Sequence, residues 1–295
     1  MSNKQRIVLI GAGNVATHFG KAFQDNGYTI SQVYSRTEKS AKELADKLGT
    51  DYTIYINKVI KDADIYIVSV KDSVLPELLP QVARLSPDAL YLHTAGSVPM
   101  DAWKGLVSRY GVFYPLQTLS KARELDFHDV PCLVEANNEE DLKLLLRISK
   151  ELTGHEYKAD SDMRRVLHLA AVFACNFTNH LYAICDYLFR KDGRIPFDVV
   201  LPLIDETARK VHHLSPVDAQ TGPAARFDEN IMKKHLDMLQ DEPELAEIYK
   251  LMSKDIHKFQ QLSKITAIRF PKSTAEQRNL QKNWQTSLTQ TILYI

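Results

Sequence analysis

The chain has 295 residues, 44% of them hydrophobic and 25% charged, which is typical of a folded protein long enough for two domains. Its 37 lysines and arginines equal its 37 aspartates and glutamates, so net charge predicts no nucleic-acid partner and no anionic-membrane partner. No apolar run approaches the ~18–20 residues of a membrane span, and residues 1–6 lack the apolar core of a signal peptide. Three cysteines without ligand-like spacing predict no metal site. These properties indicate a cytoplasmic protein.

The first half of the chain alternates short apolar runs with helical periodicity. Strands are predicted at 7–10, 29–34, 65–70 and 89–92, with helices at 14–26, 37–48 and 73–84. Later strands at 112–114 and 132–134 extend the sheet, and a helix is predicted at 139–152. Because strands and helices alternate, we expect parallel strands with helical crossovers.

The second half has a purely helical pattern. Residues 162–190 contain neither proline nor glycine, so one long helix is predicted there. Further helices are predicted near 197–214, 229–240 and 243–266. The predicted fold class is therefore α/β followed by an all-α domain.

A glycine-rich turn, Gly-Ala-Gly-Asn-Val-Ala, follows the first strand and opens the first helix. Gly11 permits the tight turn, Gly13 removes the Cβ that would face a pyrophosphate, and Ala16 allows the helix to pack closely on the strand. The first amides of the helix, at Asn14 and Val15, lie at the positive end of its dipole and attract an anion. The alternative is a turn that only reverses the chain. The context favours a Rossmann-like, dinucleotide-binding domain.

The end of the second strand distinguishes NADP from NAD. An NAD enzyme usually has an acidic residue ~20 residues beyond the glycines, to bind the ribose 2′-hydroxyl. This chain has the hydroxyls of Ser35 and Thr37 and the guanidinium of Arg36, which suit a 2′-phosphate. Glu38 nearby favours NAD, and Arg36 as a solvated loop residue is the other alternative. The sequence predicts NADP in preference to NAD.

Polar residues at the ends of later strands are expected near the nicotinamide. In open α/β sheets, ligands bind beyond the carboxyl ends of the strands. Val70 ends one strand, and Thr94, Gly96 and Ser97 follow another. We predict Val70, Thr94 and Gly96 as cofactor contacts and Ser97 as a substrate contact; ordinary turn chemistry is the alternative.

Four stretches carry a resemblance to a known family: HTAGSVP at 93–99, GVFYPLQT at 111–118, HLAAVFACNF at 168–177 and TGPAAR at 221–226. Over about residues 5–265 the chain resembles NADP oxidoreductases that join a Rossmann-like domain to a helical C-terminal domain. These are similar in plan to pyrroline-5-carboxylate reductase, ketopantoate reductase and 6-phosphogluconate dehydrogenase. The resemblance implies reduction of a small carbonyl or imine acid. The chain has arginine at 164 and 165, where relatives often have a lysine one turn before the helix histidine.

The long helix carries the candidate catalytic residues. Hydride transfer to a carbonyl leaves an alkoxide, so the site needs a proton donor and hydrogen bonds to oxygen. At ~100° per residue, His168, Asn176 and Asn179 lie within about one quadrant. We predict His168 as proton donor or carbonyl polariser, Asn176 as a hydrogen-bond donor to substrate oxygen, and Arg164 or Arg165 as a carboxylate anchor. A histidine that is only hydrogen-bonded in the core is the alternative.

Further substrate contacts are predicted outside that helix. Gln117 and Thr118 end a strand and are expected on the substrate side of the cleft. Arg226 is expected to close the cleft from the helical domain or from a partner subunit, with a surface salt bridge as the alternative. His212 and His213 are adjacent and point ~100° apart, so they predict no metal.

The predicted domains are 1–159, Rossmann-like and dinucleotide-binding; 160–270, helical, for substrate binding and dimerisation; and 271–295, a tail of unknown role. The long helix is apolar over much of its circumference, which predicts a homodimer or burial within one subunit. The predicted function is NADPH-dependent reduction of a small carbonyl acid such as a 2-oxo acid or ketopantoate. The alternatives are an imine reductase of the pyrroline-5-carboxylate type, a non-catalytic NAD(P)-sensing module, and an inactive dimeric scaffold.

Overall fold

The computed structural model describes residues 4–265. Contacts divide the chain into two compact units, with the division between Ala183 and Ile184. The predicted boundary at 159/160 lies where the sheet ends and the helices begin, and it stays a prediction. The predicted boundary and the division by contacts differ because Arg164, in the first helix after the sheet, is hydrogen-bonded to Glu135 and Val98. The predicted tail, 271–295, lies outside the described residues.

One eight-stranded sheet organises the first unit. Its strands are β1 Arg6–Ile10, β2 Thr29–Tyr34, β3 Asp51–Thr53, β4 Ile65–Val68, β5 Leu90–His93, β6 Tyr110–Pro115, β7 Cys132–Ala136 and β8 Tyr157–Lys158. They are ordered β3-β2-β1-β4-β5-β6-β7-β8. Sequence periodicity missed β3 and β8 because two or three residues are too few to show alternation.

The sheet is parallel except where β7 runs antiparallel to β6. The parallel pairing that the sequence predicts is found at the other strand pairs, and the direction of β7 was not predicted. A parallel neighbour needs a crossover, which is usually a helix. Between β6 and β7 the described chain forms a single 3₁₀ turn, Phe127–Asp129, so β7 returns beside β6 in the opposite direction.

Both faces of the sheet are covered, as expected for buried parallel strands. On β1, Ile7 and Leu9 face one apolar cluster, and Val8 and Ile10 face the other. The first cluster contains Phe19 and Phe113 with ring centroids 5.4 Å apart, and the second contains Tyr66 stacked on Tyr91 at 5.1 Å. The α/β prediction for the first half is confirmed, and its core has helices on both sides.

The helices are α1 Asn14–Asp25, α2 Glu38–Leu48, α3 Leu75–Val82, α4 Glu139–Thr153, α5 Ser161–Ala171, α6 Thr178–Asp192, α7 Leu201–Lys210, α8 Pro223–Arg226, α9 Glu229–Met238 and α10 Pro243–Ile265. Short 3₁₀ turns precede α3 and α7, where Pro76 and Pro202 stand in the first turn of the helix. The helical prediction for the second half is confirmed; the four-residue α8 was not predicted.

The predicted long helix is interrupted by a π-helical segment, Val172–Phe177, between α5 and α6. Its wider i→i+5 turns change the rotation per residue. The constant ~100° step used to group His168 with Asn176 and Asn179 therefore does not hold through this segment.

The helical part of the chain buries few of its apolar side chains. Among residues 165–263, Ala224 is the single residue classed as buried. On α5 and the π segment, Val166, Leu169 and Phe173 are 69%, 59% and 61% exposed. Within the described part of the chain, no helix combines the length and the hydropathy of a membrane span.

Candidate functional site

The glycine turn after β1 has the geometry of a phosphate-binding turn. Gly11 has φ +117°, and a Cβ there would lie 2.2 Å from the backbone oxygen of Ser69, so no other residue fits between β1 and β4. At Gly13 a Cβ would meet nothing within 4 Å, so open space faces the backbone where α1 begins. No side chain caps the first amides of α1, and Ala16 is fully buried behind them. The turn therefore presents unoccupied donors to an anion.

A cleft of about 810 Å³ in the first unit begins at this turn. A volume of this size suits a small-molecule ligand. All the predicted cofactor contacts except Ala16 and Thr37 line it: Gly11, Gly13, Asn14, Val15, Ser35, Arg36, Val70, Thr94 and Gly96. The predicted catalytic residue His168 lines the same cleft.

The charged lining of the cleft is mainly cationic. Arg36, Lys71 and Lys121 line it, and none of the three forms an ion pair within residues 4–265. The one lining carboxylate, Asp72, accepts a hydrogen bond from Ser97, a predicted substrate contact. Three unpaired cations against one carboxylate favour an anionic ligand.

Glu38, which favoured NAD at the sequence level, does not line the cleft. Its carboxylate accepts a hydrogen bond from the Tyr52 hydroxyl at 3.3 Å. Ser40, in the first turn of α2, lines the cleft beside Arg36 and adds a hydroxyl that the sequence analysis did not identify.

Lys121 lies on a loop after β6 that is hydrogen-bonded to side chains in the first turns of α1. The Asn14 side chain donates to the Leu119 carbonyl at 2.9 Å and accepts from the Lys121 amide at 3.3 Å. The His18 ring bonds the Ser120 carbonyl at 3.0 Å. The sequence analysis missed Lys121 because no periodicity or motif marks this loop. Asn14, predicted to bind cofactor, uses its side chain to hold the loop.

The loop after β5 is braced by a buried histidine. The Ala95 amide donates to Nδ1 of His93 at 3.2 Å, so Nε2 carries the ring proton and donates to the Pro99 carbonyl at 3.3 Å. Burial, followed by the nearby Arg164, lowers the pKa of His93 from 6.5 to about 4. The neutral ring holds Thr94 and Gly96 in place along the cleft.

Arg164 is fully buried at the start of α5. Its guanidinium donates to Glu135 on β7 at 2.6 Å and to the Val98 carbonyl at 2.8 Å. The group is committed to these partners, which speaks against its predicted role as a carboxylate anchor. Arg165 is exposed and pairs with Asp162 on its own helix.

His168 lies one turn beyond Arg164, against the backbone of Gly96. A Cβ at Gly96 would lie 2.6 Å from Nδ1 of His168 and 3.0 Å from Cζ of Tyr114. The Tyr114 hydroxyl and His168 Nδ1 are 3.0 Å apart. Tyr114 also lines the cleft, and the sequence analysis missed it because its strand showed only an apolar run.

The remaining predicted site residues do not line this cleft. Asn176 on the π segment and Asn179 on α6 are both exposed. Gln117 and Thr118 are exposed and bonded to each other, and Arg226 is exposed at the end of α8 in the second unit. Their predicted substrate contacts stay predictions.

Metal-ligand geometry is absent from the described part of the chain. Residues 4–265 contain no group of three or more histidine, cysteine, aspartate or glutamate side chains that could hold a metal ion. His212 and His213 lie in the turn after α7, and both are exposed.

Two family models match the chain. Residues 6–95 match "NADP oxidoreductase coenzyme F420-dependent", and residues 130–256 match a domain of unknown function, DUF2520. Among curated proteins, none matches the sequence.

Solved structures are similar over most of the chain. A "putative NADP oxidoreductase" from Bacteroides fragilis is 53% identical, with 87% of this chain and 99% of that chain covered and a TM-score of 0.84. The 1-pyrroline-5-carboxylate reductase of Streptococcus pyogenes is 16% identical, with 87% and 100% covered and a TM-score of 0.58. A pyrroline carboxylate reductase of Plasmodium falciparum with NADP bound is 11% identical, with 86% and 99% covered and a TM-score of 0.57. The last two share the fold.

His93 predicts a pH dependence of stability. The pKa of His93 is about 4 in the folded protein, below the usual 6.5. Between these pH values the unfolded chain therefore binds a proton at this residue and the folded chain does not. The free energy of unfolding should therefore fall as pH is lowered from about 6.5 to about 4. His93→Asn keeps a donor and an acceptor but does not titrate in this window. We expect it to lose less stability on acidification, by up to about 3 kcal/mol.

Urea unfolding at several pH values across this window measures the difference. His213→Asn, which removes an exposed histidine, is the control and should follow the wild-type curve. Parallel pH curves for His93→Asn and the wild type would contradict the assignment of a buried neutral ring.

Proposed function

Because the chain belongs to the NADP oxidoreductase family of its Bacteroides fragilis relative, we propose that it reduces a small carbonyl acid, of the 2-oxo acid or ketopantoate kind, with NADPH. One observation carries the proposal. A titratable side chain with an uncommitted ring nitrogen, His168, lines the same cleft as the phosphate-binding turn.

The cofactor half of the cleft fits NADP. Gly13 leaves open space where the pyrophosphate approaches the amides of α1. Arg36 follows β2 and lines the cleft together with Ser35 and Ser40, which supports the proposed contact with a 2′-phosphate, and the Glu38 carboxylate bonds the Tyr52 hydroxyl. Extra negative charge on the nucleotide suits a lining whose cations lack ion-pair partners. When bound, the reduced nicotinamide supplies the hydride.

His168 supplies the proton in this proposal. Its Nδ1 is taken by Tyr114, and no hydrogen-bond partner of Nε2 is found among residues 4–265. The imidazolium donates from Nε2 to the carbonyl oxygen while the carbonyl carbon receives the hydride. An N–H bond breaks, an O–H bond forms, and the product is an alcohol. Gly96 and Thr94 line the wall beside this ring.

The same geometry suits an imine, whose nitrogen would take the proton in place of oxygen. The fold shared with pyrroline-5-carboxylate reductases makes this the second candidate substrate class. A module that only senses the nucleotide has no need of a proton donor in the cleft, so His168 favours catalysis. The predicted contacts of Ser97, Gln117, Thr118, Asn176, Asn179 and Arg226 with substrate remain part of the proposal.

We also propose a cytoplasmic homodimer. Val166 and Leu169 on α5 and Phe173 on the π segment are large apolar side chains that are each more than half exposed. Neighbouring exposed apolar side chains of this kind mark an interaction surface. A second copy of the chain is the partner proposed for it.

Arg36→Ala tests the choice of nucleotide. We expect NADPH affinity to fall about tenfold to a hundredfold, because charge-assisted hydrogen bonds contribute about 1.5–3 kcal/mol, and NADH affinity to change little. Fluorescence titration with both nucleotides measures this. Arg84→Ala, an exposed arginine outside the cleft, is the control. Equal losses for both nucleotides would end the case for a 2′-phosphate contact.

His168→Gln tests the chemical step. Ketopantoate, other 2-oxo acids and pyrroline-5-carboxylate are screened for oxidation of NADPH by the wild type. For any substrate found, we expect kcat to fall about 10²- to 10⁴-fold in His168→Gln, with NADPH affinity retained, since general acid catalysis contributes about this much. His155→Gln, an exposed histidine, should keep full turnover. Full turnover in His168→Gln would remove the assigned role.

Sedimentation tests the homodimer. The wild type is expected at twice the 33.6 kDa mass of one chain, and Leu169→Asp with Phe173→Asp should shift it toward the single-chain mass. Burying two unpaired carboxylates in an apolar interface is strongly unfavourable. Arg165→Ala, an exposed neighbour on α5, is the control. A wild type that sediments as one chain would contradict the proposal.

A further inference from the structure

The missing side chain of Gly96 leaves the space in which two aromatic rings meet. The ring of His168 comes from α5 and that of Tyr114 from β6, and an added Cβ at Gly96 would lie 2.6 Å from the first and 3.0 Å from the second. The backbone φ of Gly96 is not positive, so its conformation does not require glycine. The position therefore requires glycine for space and not for conformation.

The two rings are joined by a hydrogen bond of defined chemistry. Tyr114 Oη and His168 Nδ1 are 3.0 Å apart, and the rings meet edge-on at 74°. Burial, and after it the charge of Asp72, raises the pKa of Tyr114 above its usual value, so its hydroxyl keeps its proton. Tyr114 Oη has no second hydrogen-bond partner within residues 4–265. Donation to Nδ1 is therefore the arrangement that satisfies the phenol proton in the resting protein.

We propose that Tyr114 is the positioning residue of His168: its hydroxyl occupies Nδ1 and thereby leaves Nε2 as the ring nitrogen that serves the cleft. The inference rests on the proposed role of His168 as proton donor. A phenol hydroxyl both donates and accepts, so it holds Nδ1 when the ring is neutral and accepts from Nδ1–H when the ring is an imidazolium. The ring therefore keeps one orientation through proton transfer.

Tyr114 does not itself pass the proton. Relay through its oxygen would create a phenolate, which burial disfavours. The charged and titratable groups that act on Tyr114 are Asp72 from the turn after β4, Arg164 from α5 and Cys175 from the π segment. Lys71 and Lys121 line the same cleft. The proton that leaves Nε2 is replaced from the cleft side, which Lys71, Asp72 and Lys121 line.

The experiment measures the ¹⁵N resonances of the His168 ring in the protein without added nucleotide. His168→Gln identifies the signals. In the wild type, the Nδ1 signal should differ from that of exposed histidines because Nδ1 accepts a hydrogen bond. Tyr114→Phe, which removes one oxygen, should move it to the exposed-histidine position. Tyr110→Phe, on the same strand, is the matched control and should leave it unchanged.

Gly96→Ala is the second variant, because its added methyl group should push the ring away from Tyr114 and cause the same change. An Nδ1 signal that Tyr114→Phe leaves in place would overturn the inference, and so would a wild-type signal equal to that of exposed histidines. A structural role of Tyr114 alone would lower stability without moving this resonance. Since no nucleotide is used, failure of NADPH binding would refute the proposed function and leave this result standing.

If ketopantoate is turned over, kinetics give an independent measure. Tyr114→Phe should lower kcat about fivefold, the value of one hydrogen bond of about 1 kcal/mol, with the KM for ketopantoate nearly unchanged. An unchanged kcat would overturn the positioning role.

Discussion

The buried ion pair between Arg164 and Glu135 is the interaction on which the site depends. It joins the start of α5 to β7, and a second bond from the same guanidinium reaches the Val98 carbonyl beyond β5. Removing one partner of a buried pair leaves an uncompensated charge and costs about 3–5 kcal/mol. Because the first turn of α5 is held to the sheet unit, His168 one turn later is held against Gly96. The same cation also helps to keep His93 neutral beneath the cleft loop.

The cations that line the cleft and the ring of His168 are held in different ways. Arg36, Lys71 and Lys121 arrive from three different loops and have no ion-pair partners within residues 4–265. Cations held in this way attract a polyanion without first breaking an internal salt bridge. His168 contacts the uncharged side chain of Tyr114 and the backbone of Gly96. The cations of the cleft thus have no ion-pair partner in the described residues, whereas the ring of His168 is held by the Tyr114 hydroxyl and packs against the backbone of Gly96.

Three glycines contribute to this cleft for three different physical reasons. Gly11 is required by its positive φ and by the 2.2 Å approach to Ser69. Gly13 leaves open space on the side where a ligand phosphate would lie, and Gly96 leaves space for protein side chains. A single residue type therefore serves conformation, ligand access and internal packing within one site.

The amino-acid sequence by itself determined the α/β and all-α halves, the glycine turn after β1 and many of the residues that line the cleft. These depend on local periodicity and on spacing along one strand–turn–helix unit, such as Gly11 to Ala16. Only the tertiary structure decided that Arg164 pairs with Glu135, that Tyr114 meets His168, and that the loop carrying Lys121 crosses α1. Each of these contacts joins residues far apart in the chain, and the antiparallel pairing of β7 with β6 was likewise seen only in the structure. The π segment could not be predicted either, because the residues of Val172–Phe177 are also compatible with an ordinary α-helix. Pairings between distant residues and local changes of helix pitch leave no periodic signal in the sequence, since they are set by which side chains fit together after the chain has folded.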